Sequence, residues 1–227
     1  MAGLEPLTMP RCVVGIDVGG TRKGFHAVAL RGGRDVECCT TNDAARLAAW
    51  CSGVDAALVA VDAPCRWRQG EVARLAEREL MRDGMACFVS PTREQASACS
   101  TGFYGWMVCG EALYRELDIR GYPLVERPED LLRQRRCFET FPHAITRQLH
   151  RALGLEPAAA PRKREQRRAL LERLGVDCTA LTSIDWIDAA LSAKAAQLLG
   201  IGVTPRVYGD AASGLVVVPA AVSASAA

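Results

Sequence analysis

The chain has 227 residues, a formal net charge of +2 at pH 7, 49% hydrophobic residues and 24% charged residues. This length suits one domain, or one domain with a sizeable insertion, since folded domains run to roughly 50–250 residues. The composition is ordinary for a globular protein and excludes a mostly disordered chain. Because the net charge is small, any affinity for nucleic acid must come from local basic patches.

The cysteines and the apolar runs bear on the cellular compartment. Ten cysteines would suit a disulfide framework, but the opening residues lack the apolar stretch and cleavage site of a secretory signal. We therefore expect reduced thiols and a cytoplasmic protein. No two cysteines form a C-x2-C pair, and the three histidines are scattered, which argues against structural zinc. No apolar run approaches the ~20 residues that span a bilayer, so no membrane partner is expected.

Short apolar runs rich in β-branched residues predict the strands. Three of them are separated by glycine-rich turns and suit an antiparallel meander, while a later uninterrupted run suits a parallel strand covered on both faces. The predicted strands are residues 12–18, 24–30, 35–40, 56–61 and 136–141, with a closing hairpin of 206–208 and 215–218.

Helical spacing of apolar residues predicts helices over residues 43–51, 71–81, 111–120, 162–174 and 186–199. Asn42 is the candidate cap of the first helix, and residues 182–185 offer one for the last. The stretch 84–105 is rich in Ser, Thr, Cys and Gly and predicts loops, and 157–161 predicts a linker.

The order of these elements predicts an α/β fold of the ribonuclease H-like kind. Its mixed sheet would hold three antiparallel strands followed by parallel strands, with helices on its faces. The predicted domain covers residues 12–219 with an insertion over about 84–130, between tails at 1–11 and 220–227.

Two aspartates end apolar strands. Asp17 follows CVVGI, and Asp62 follows AALVAV and precedes Pro64. Buried charges are paired or metal-bound, and open α/β sheets place their sites at such strand ends. Both are therefore candidate metal ligands, and they would meet if their strands are neighbours. The alternative for each is a strand-end aspartate that bonds the following turn.

Three further acidic residues are candidate ligands. Glu139 lies within RCFETFP, on the strand face opposite its two neighbours, and an outward-facing strand glutamate is its alternative. Asp185 and Asp188 are three residues apart, which places them on one helix face, where a cation would relieve their repulsion. Asp185 alternatively fills a first-turn position favoured by the helix dipole. Asp188, embedded in WIDAALSA, is the better candidate.

This set of ligands favours one kind of chemistry. Oxygen-only ligands suit Mg²⁺ or Mn²⁺, and two such ions about 3.5–4 Å apart could activate water and stabilise the leaving oxygen of a phosphodiester. The predicted catalytic residues are Asp17, Asp62, Glu139 and Asp188, with Asp185 as an additional ligand. His143 is a candidate proton shuttle, with a helix-capping or core histidine as its alternative.

Basic residues are concentrated in two patches. Six of the twelve residues 162–173 are Lys or Arg, and Arg133, Arg135 and Arg136 form the second patch. If these patches flank the acidic site, they would bind phosphates without recognising sequence. The candidate substrate-binding residues are Lys163, Arg167 and Arg93. Solvent-exposed faces are the alternative interpretation.

Several motifs together resemble a known family. They are GIDVGGT, VAVDAPCR, AERELMRDG, FVSPTR, RCFETFPHA, the basic segment with Lys163, and DWIDAALSAKAA. In order and spacing, over residues 12–219, they resemble the predicted-nuclease family of the ribonuclease H fold known as domain of unknown function 429. The resemblance implies that Asp17, Asp62, Glu139 and Asp188 occupy the family's acidic positions. Because the first predicted helix carries no glutamate, Glu139 would replace the helix carboxylate of ribonuclease H.

Two other functions stay open at this stage. GIDVGGT is also similar to the first phosphate loop of actin-like sugar kinases, in which Gly19, Gly20 and Thr21 would contact ATP. Those enzymes use two such domains, and no second glycine-rich phosphate loop follows here. The other alternative is a non-catalytic nucleic-acid-binding module. The sequence does not distinguish DNA, RNA or a small phosphorylated substrate, and it does not indicate an oligomeric state.

Overall fold

The computed structural model of the protein describes residues 12–32, 35–133, 135–157 and 162–220. The predicted tails at 1–11 and 221–227, most of the predicted linker at 157–161 and part of the turn at 31–34 lie outside these ranges. Within them, the strands are β1 (Cys12–Val18), β2 (Phe25–Arg31), β3 (Asp35–Thr41), β4 (Leu58–Asp62), β5 (Arg136–Glu139), β6 (Pro205–Asp210) and β7 (Gly214–Pro219).

The helices follow β3 and lie between the later strands, in groups after β4 and β5. They are α1 (Ala44–Gly53), α2 (Leu75–Arg82), α3 (Arg93–Ala98), α4 (Gly105–Ile119), α5 (Pro142–Ala152), α6 (Lys163–Arg173) and α7 (Ile184–Gly200), with a 3-10 helix at Pro128–Leu132. None of the helices in the described ranges is long and apolar enough to cross a membrane.

The described strands form one mixed sheet in the order β3-β2-β1-β4-β5-β7-β6. The first three strands form the antiparallel meander that the sequence predicts. Strands β1, β4, β5 and β7 run parallel, and β6 pairs antiparallel with β7 at the far edge. The predicted α/β class, with antiparallel strands followed by parallel ones, is confirmed.

Alternate residues of β1 point to opposite faces of the sheet, which separates two cores. Val13 packs in the larger core with the apolar residues of α7. Val14 and Ile16 pack in the other core with residues of α1 and α4. Helix α7 is buried along almost its whole length, which explains its many alanines: a helix that lies directly on a sheet needs small side chains on the contacting face.

The contact of α7 with the sheet is closest at Gly15. A Cβ atom at this position would lie 2.0 Å from the backbone nitrogen of Ala193 and 2.1 Å from the carbonyl oxygen of Ala189. Glycine is therefore required here because there is no room for a Cβ atom, and not because of its backbone dihedral angles. This close approach fixes the height of α7 above β1, two residues before Asp17.

Several local predictions need correction. Asp43, not Asn42, caps α1, because its carboxylate accepts hydrogen bonds from the backbone N–H groups of Ala45 and Arg46. The predicted loop stretch contains the short helix α3, which begins at a capping box formed by Thr92 and Gln95. Helix α5 was not predicted. It begins directly at Pro142, a residue that suits the first position of a helix as well as it stops a strand.

Candidate metal centre

Asp17 and Asp62 lie side by side at the carboxyl edge of the sheet. They are register partners in the parallel pair β1 and β4. Register partners in a sheet project from the same face, and here that face also carries Gly15 and Ala60 and is covered by α7. The predicted approach of the two strand-end carboxylates is confirmed.

Helix α7 adds the third carboxylate. Asp188 is the residue before Ala189, whose carbonyl lies against Gly15, so the close helix contact places its side chain above Asp17. One carboxylate oxygen from each of Asp17, Asp62 and Asp188 lies within 4.8 Å of the others. We call these three residues the aspartate cluster. Its donor set, three carboxylates on two strands and one helix, can hold a divalent cation.

Charge repulsion and burial act together in the aspartate cluster. Burial, with added repulsion from Asp188 and Asp185, raises the pKa of Asp17 to about 7. Burial, followed by repulsion from Asp17 and Asp188, raises the pKa of Asp62 well above its usual range. The pKa of Asp188 is also raised by burial, although Arg167 and Lys163 oppose that shift. A bound cation would relieve the cost of ionising all three.

Helix α6 supplies two cations to this site. Arg167 is buried and its Nη1 donates a hydrogen bond to Oδ1 of Asp188. Lys163, which is exposed, has its Nζ 3.7 Å from the other oxygen, Oδ2. The two predicted substrate-binding residues of this helix are therefore brought to the cluster in different roles. Arg167 neutralises an aspartate from within the core, whereas Lys163 faces solvent beside the cluster.

Lys23 is a cation at the site that the sequence reasoning missed. It lies in the turn between β1 and β2, which the Gly19 N–H closes by donating to the Gly24 carbonyl at 2.8 Å. Its exposed Nζ is 2.7 Å from Oδ1 of Asp185. The signal was available, because Lys23 follows the strand that carries Asp17 by a short glycine-rich turn.

Asp185 lies beside the aspartate cluster but is not one of its three members. It occupies the first turn of α7 and pairs with Lys23. Its negative charge contributes to the raised pKa of Asp17. In this arrangement Asp185 positions Lys23 at the rim of the site, and a direct role in binding metal stays a prediction.

Glu139 is placed on the other face of the sheet. Its register partner on β4 is Val61, one residue before Asp62, and the side chain of Val61 packs in the core beneath α1 and α4. Since side chains alternate along a strand, Glu139 and Asp62 project in opposite directions. The expectation of four converging carboxylates is corrected to three by this one-residue offset.

The carboxylate of Glu139 is fully engaged in a buried ion pair. Arg74 donates to both of its oxygens, at 2.6 and 2.9 Å, and the backbone N–H of Cys65 donates to Oε2 at 2.8 Å. Arg74 also pairs with Glu77 at 2.9 Å. This network joins the start of α2 to β5, and within it the carboxylate of Glu139 holds the two elements together.

The remaining predicted basic residues belong to other elements than α6. Arg93 begins α3 and pairs with Glu111 of α4 at 2.9 Å. Arg135 and Arg136 lie at the start of β5, where Arg136 pairs with Leu58 at the amino end of β4. Asp62 is at the carboxyl end of β4, about 13 Å away along the strand. The second basic patch therefore does not flank the aspartate cluster.

His143 lies in the first turn of α5, half-buried and edge-on to the ring of Phe141 at 5.8 Å. Its pKa is lowered by burial and then by the positive charges of Arg167, Arg147 and Lys163. A role as proton shuttle stays a prediction.

Comparison with known proteins identifies the family. Residues 15–213 match the family described as protein of unknown function (DUF429). The chain belongs to this family. The match covers most of the chain and includes every member of the aspartate cluster. The search of curated proteins and the search of solved structures both gave no match.

Proposed function

We propose that this DUF429 protein is a metal-dependent phosphodiesterase that hydrolyses nucleic acid. The observation that carries the proposal is the convergence of Asp17, Asp62 and Asp188 within 4.8 Å at the carboxyl edge of a parallel sheet. Aspartates in structural ion pairs are also buried, but each of them then has a cationic partner of its own. Here Arg167 and Lys163 both face Asp188, and burial leaves Asp17 and Asp62 with raised pKa values.

The donor set favours Mg²⁺ or Mn²⁺. All three cluster ligands are hard carboxylate oxygens, which suit these ions better than the imidazole and thiolate ligands preferred by Zn²⁺. When bound, such an ion supplies a Lewis acid that activates water and stabilises the leaving oxygen of a phosphodiester.

The side chains around the cluster suit a phosphate substrate. Exposed Lys163 and Lys23 lie at its rim, where they can bind the phosphates of a nucleic-acid backbone without recognising its sequence. Buried Arg167 holds Asp188 in one orientation. Hydrolysis adds the oxygen of water to phosphorus and releases the alcohol of the next nucleotide, with one proton passing to the leaving oxygen.

The topology agrees with the interpretation of the fold as ribonuclease H-like. An antiparallel β3-β2-β1 meander continued by parallel β4 and β5 is the strand order expected of that fold. Function does not follow from fold alone, so the aspartate cluster carries the proposal and the topology supports it.

The test measures metal binding and hydrolysis on the same preparations. Mg²⁺ or Mn²⁺ at millimolar concentration is expected to raise the melting temperature, because the ion binds the folded state only. Asp17→Asn, Asp62→Asn and Asp188→Asn should each abolish that shift and reduce cleavage of single-stranded and duplex oligonucleotides by orders of magnitude. Asp35→Asn is the matched control, since Asp35 is exposed at the opposite end of the sheet. Melting temperatures that do not change when metal is added, or cluster variants that cleave normally, would refute the proposal.

A further inference from the structure

We propose that the substrate of this site is single-stranded, and that an unpaired base stacks on an aromatic group beside the aspartate cluster. The aromatic group consists of Phe88, Phe103, Tyr104 and Trp106. The inference rests on the proposed function, because it takes a nucleic-acid phosphodiester as the substrate and specifies its strandedness.

The aromatic group is exposed to an unusual degree for its size. Phe103 is 59% exposed and Phe88 is 43% exposed, while Tyr104 and Trp106 are half-buried. The ring centroid of Phe88 lies 5.6 Å from that of Phe103 and 6.2 Å from that of Trp106. The rings meet at interplanar angles between 48° and 78°, so none of these contacts is a parallel stack. Ring surface is therefore left for another planar group.

The aromatic group borders the aspartate cluster. Phe88 and Trp106 line a cleft whose wall includes Asp62 and also the buried pair of Glu139 and Arg74. The backbone nitrogen of Trp106 lies 3.8 Å from the place that a Cβ of Gly20 would occupy, so the start of α4 sits against the β1–β2 turn that follows Asp17. The cleft and this turn therefore connect the strand ends at Asp17 and Asp62 with the aromatic group.

The two lysines and Trp106 lie on opposite faces of the sheet. Lys163 on α6 and Lys23, which pairs with the first turn of α7, belong to the face that α7 covers. Trp106 packs on the core of the other face, beneath α1 and α4. The aspartate cluster lies on the same face as the lysines, and the cleft lined by Phe88 and Trp106 reaches it at Asp62. A nucleotide whose phosphate faces the lysines and the cluster therefore presents its base toward the aromatic rings.

Lysines for the phosphates and exposed aromatic rings for the bases suit a single strand and not a duplex. In a duplex the bases are already stacked and paired, so their faces cannot pack on side chains, whereas an unpaired base can stack on an aromatic ring whatever its identity. An apolar peptide could also cover exposed phenylalanines, but it would not use the lysines beside the aspartate cluster.

The test compares binding of three labelled oligonucleotides of about 12 nucleotides by fluorescence anisotropy. One is a single strand, one is its duplex, and one is a single strand of abasic sites with the same phosphates. Binding is measured with Ca²⁺ in place of Mg²⁺, to limit turnover. The variant is Phe88→Leu with Phe103→Leu, which keeps apolar volume and removes both rings. Leu132→Ala is the control, because Leu132 is similarly exposed, at 62%, and ends the 3-10 helix that precedes β5.

We expect the double variant to lose affinity for the single strand by a factor between about 5 and about 100, and to keep its affinity for the abasic strand. The control should bind all three as the wild type does. Equal affinity of the wild type for single strand and duplex, an unchanged affinity of the double variant, or an equal loss on the abasic strand would overturn the inference. A wild type that binds none of the strands would overturn it as well and would assign the aromatic group to another partner, such as a protein.

A small substrate separates this inference from the proposed function. Hydrolysis of methyl p-nitrophenyl phosphate with Mn²⁺ requires the aspartate cluster but no nucleobase. If the wild type hydrolyses it and the double variant binds single strands normally, the stacking inference alone is wrong. If the aromatic rings bind single strands but no diester is hydrolysed, base stacking stands as a binding property, and the proposed hydrolytic function fails.

Discussion

Asp17 on β1 and Asp62 on β4 are paired residues of two adjacent parallel strands, and both carboxylates leave the sheet on the face covered by α7. Their approach is therefore a property of the backbone register and does not depend on a chosen side-chain rotamer. Asp188 reaches them because α7 rests directly on Gly15. The site is built from rigid elements, as a metal centre that must hold its geometry requires.

The first prediction concerns pH in the absence of metal. Burial raises the pKa of Asp17 to about 7 in the folded protein, whereas an aspartate in an unfolded chain titrates near about 3.9. The folded state then binds more protons than the unfolded state between these values, so its stability must fall as pH rises through that window. We expect the contribution of Asp17 to the free energy of unfolding in EDTA to be more favourable near about pH 5 than near about pH 8.

Urea denaturation of the wild type and Asp17→Asn at both pH values isolates this effect. The asparagine variant lacks the titrating carboxylate, so the difference in stability between the two proteins should grow in favour of the variant as pH rises. A difference that stays constant with pH would show that Asp17 titrates normally in the folded protein.

The second prediction tests the contact that positions Asp188. Gly15→Ala places a methyl group about 2 Å from two backbone atoms of α7, which only a movement of the helix can relieve. We expect a loss of at least about 3 kcal/mol in the free energy of unfolding, together with weaker metal binding, because Asp188 moves with the helix.

Gly53→Ala is the matched control for this substitution. Gly53 is the last residue of α1, and a Cβ there meets nothing within 4 Å, so alanine should be neutral or slightly stabilising. Denaturation curves and isothermal calorimetry with Mn²⁺ check both variants. Equal stability of the two variants would mean that α7 does not rest on Gly15 as described.

The sequence predicted those parts of the site that depend on strand ends. An apolar run that stops at an aspartate identifies both the strand and its carboxyl end, which is why Asp17 and Asp62 were found. Asp188 was recognisable from small residues around a charge in the last long helix. These signals are local, and the sheet register then brought the residues together.

Other parts of the site depend on long-range geometry that local patterns do not contain. A shift of one residue in the pairing of β4 with β5 decides whether Glu139 faces the cluster or the opposite side. The charge run of α6 gave no indication that Arg167 is buried while Arg164 is exposed. Three members of the aromatic group, Phe88, Phe103 and Tyr104, lie in the stretch 84–105, whose Ser, Thr, Cys and Gly content predicts only loops, and Trp106 directly follows it.

The third prediction separates Glu139 from the metal centre. Glu139→Gln leaves Arg74 buried with one fewer negative partner, and breaking a buried pair in this way costs about 3–5 kcal/mol. The melting temperature should fall sharply, while the increase that Mn²⁺ produces should match that of the wild type. Glu126→Gln is the control, since its ion pair with Arg66 is exposed and contributes little. If instead Glu139→Gln lost its response to Mn²⁺ and kept its stability, Glu139 would be a metal ligand.

The fourth prediction concerns Arg167, the buried cation that faces Asp188. Arg167→Met preserves most of the apolar volume of the side chain but leaves the carboxylate of Asp188 without its closest positive charge. Without metal, the variant should lose about 3–5 kcal/mol of stability, as expected for an uncompensated buried charge. A divalent cation at the cluster would replace part of the missing charge, so Mn²⁺ should raise the melting temperature of the variant by more than it raises that of the wild type.

Arg164→Met supplies the comparison on the same helix, because Arg164 is exposed and donates to the carbonyl of Thr182. Its stability and its response to Mn²⁺ should stay close to those of the wild type. Thermal melts in EDTA and in Mn²⁺ give both quantities for all three proteins. The larger metal response of Arg167→Met follows only if the ion binds at Asp188, since an ion held elsewhere cannot compensate the lost arginine. An equal response in the three proteins would therefore remove Asp188 from the metal centre, even if the arginine variant proved unstable.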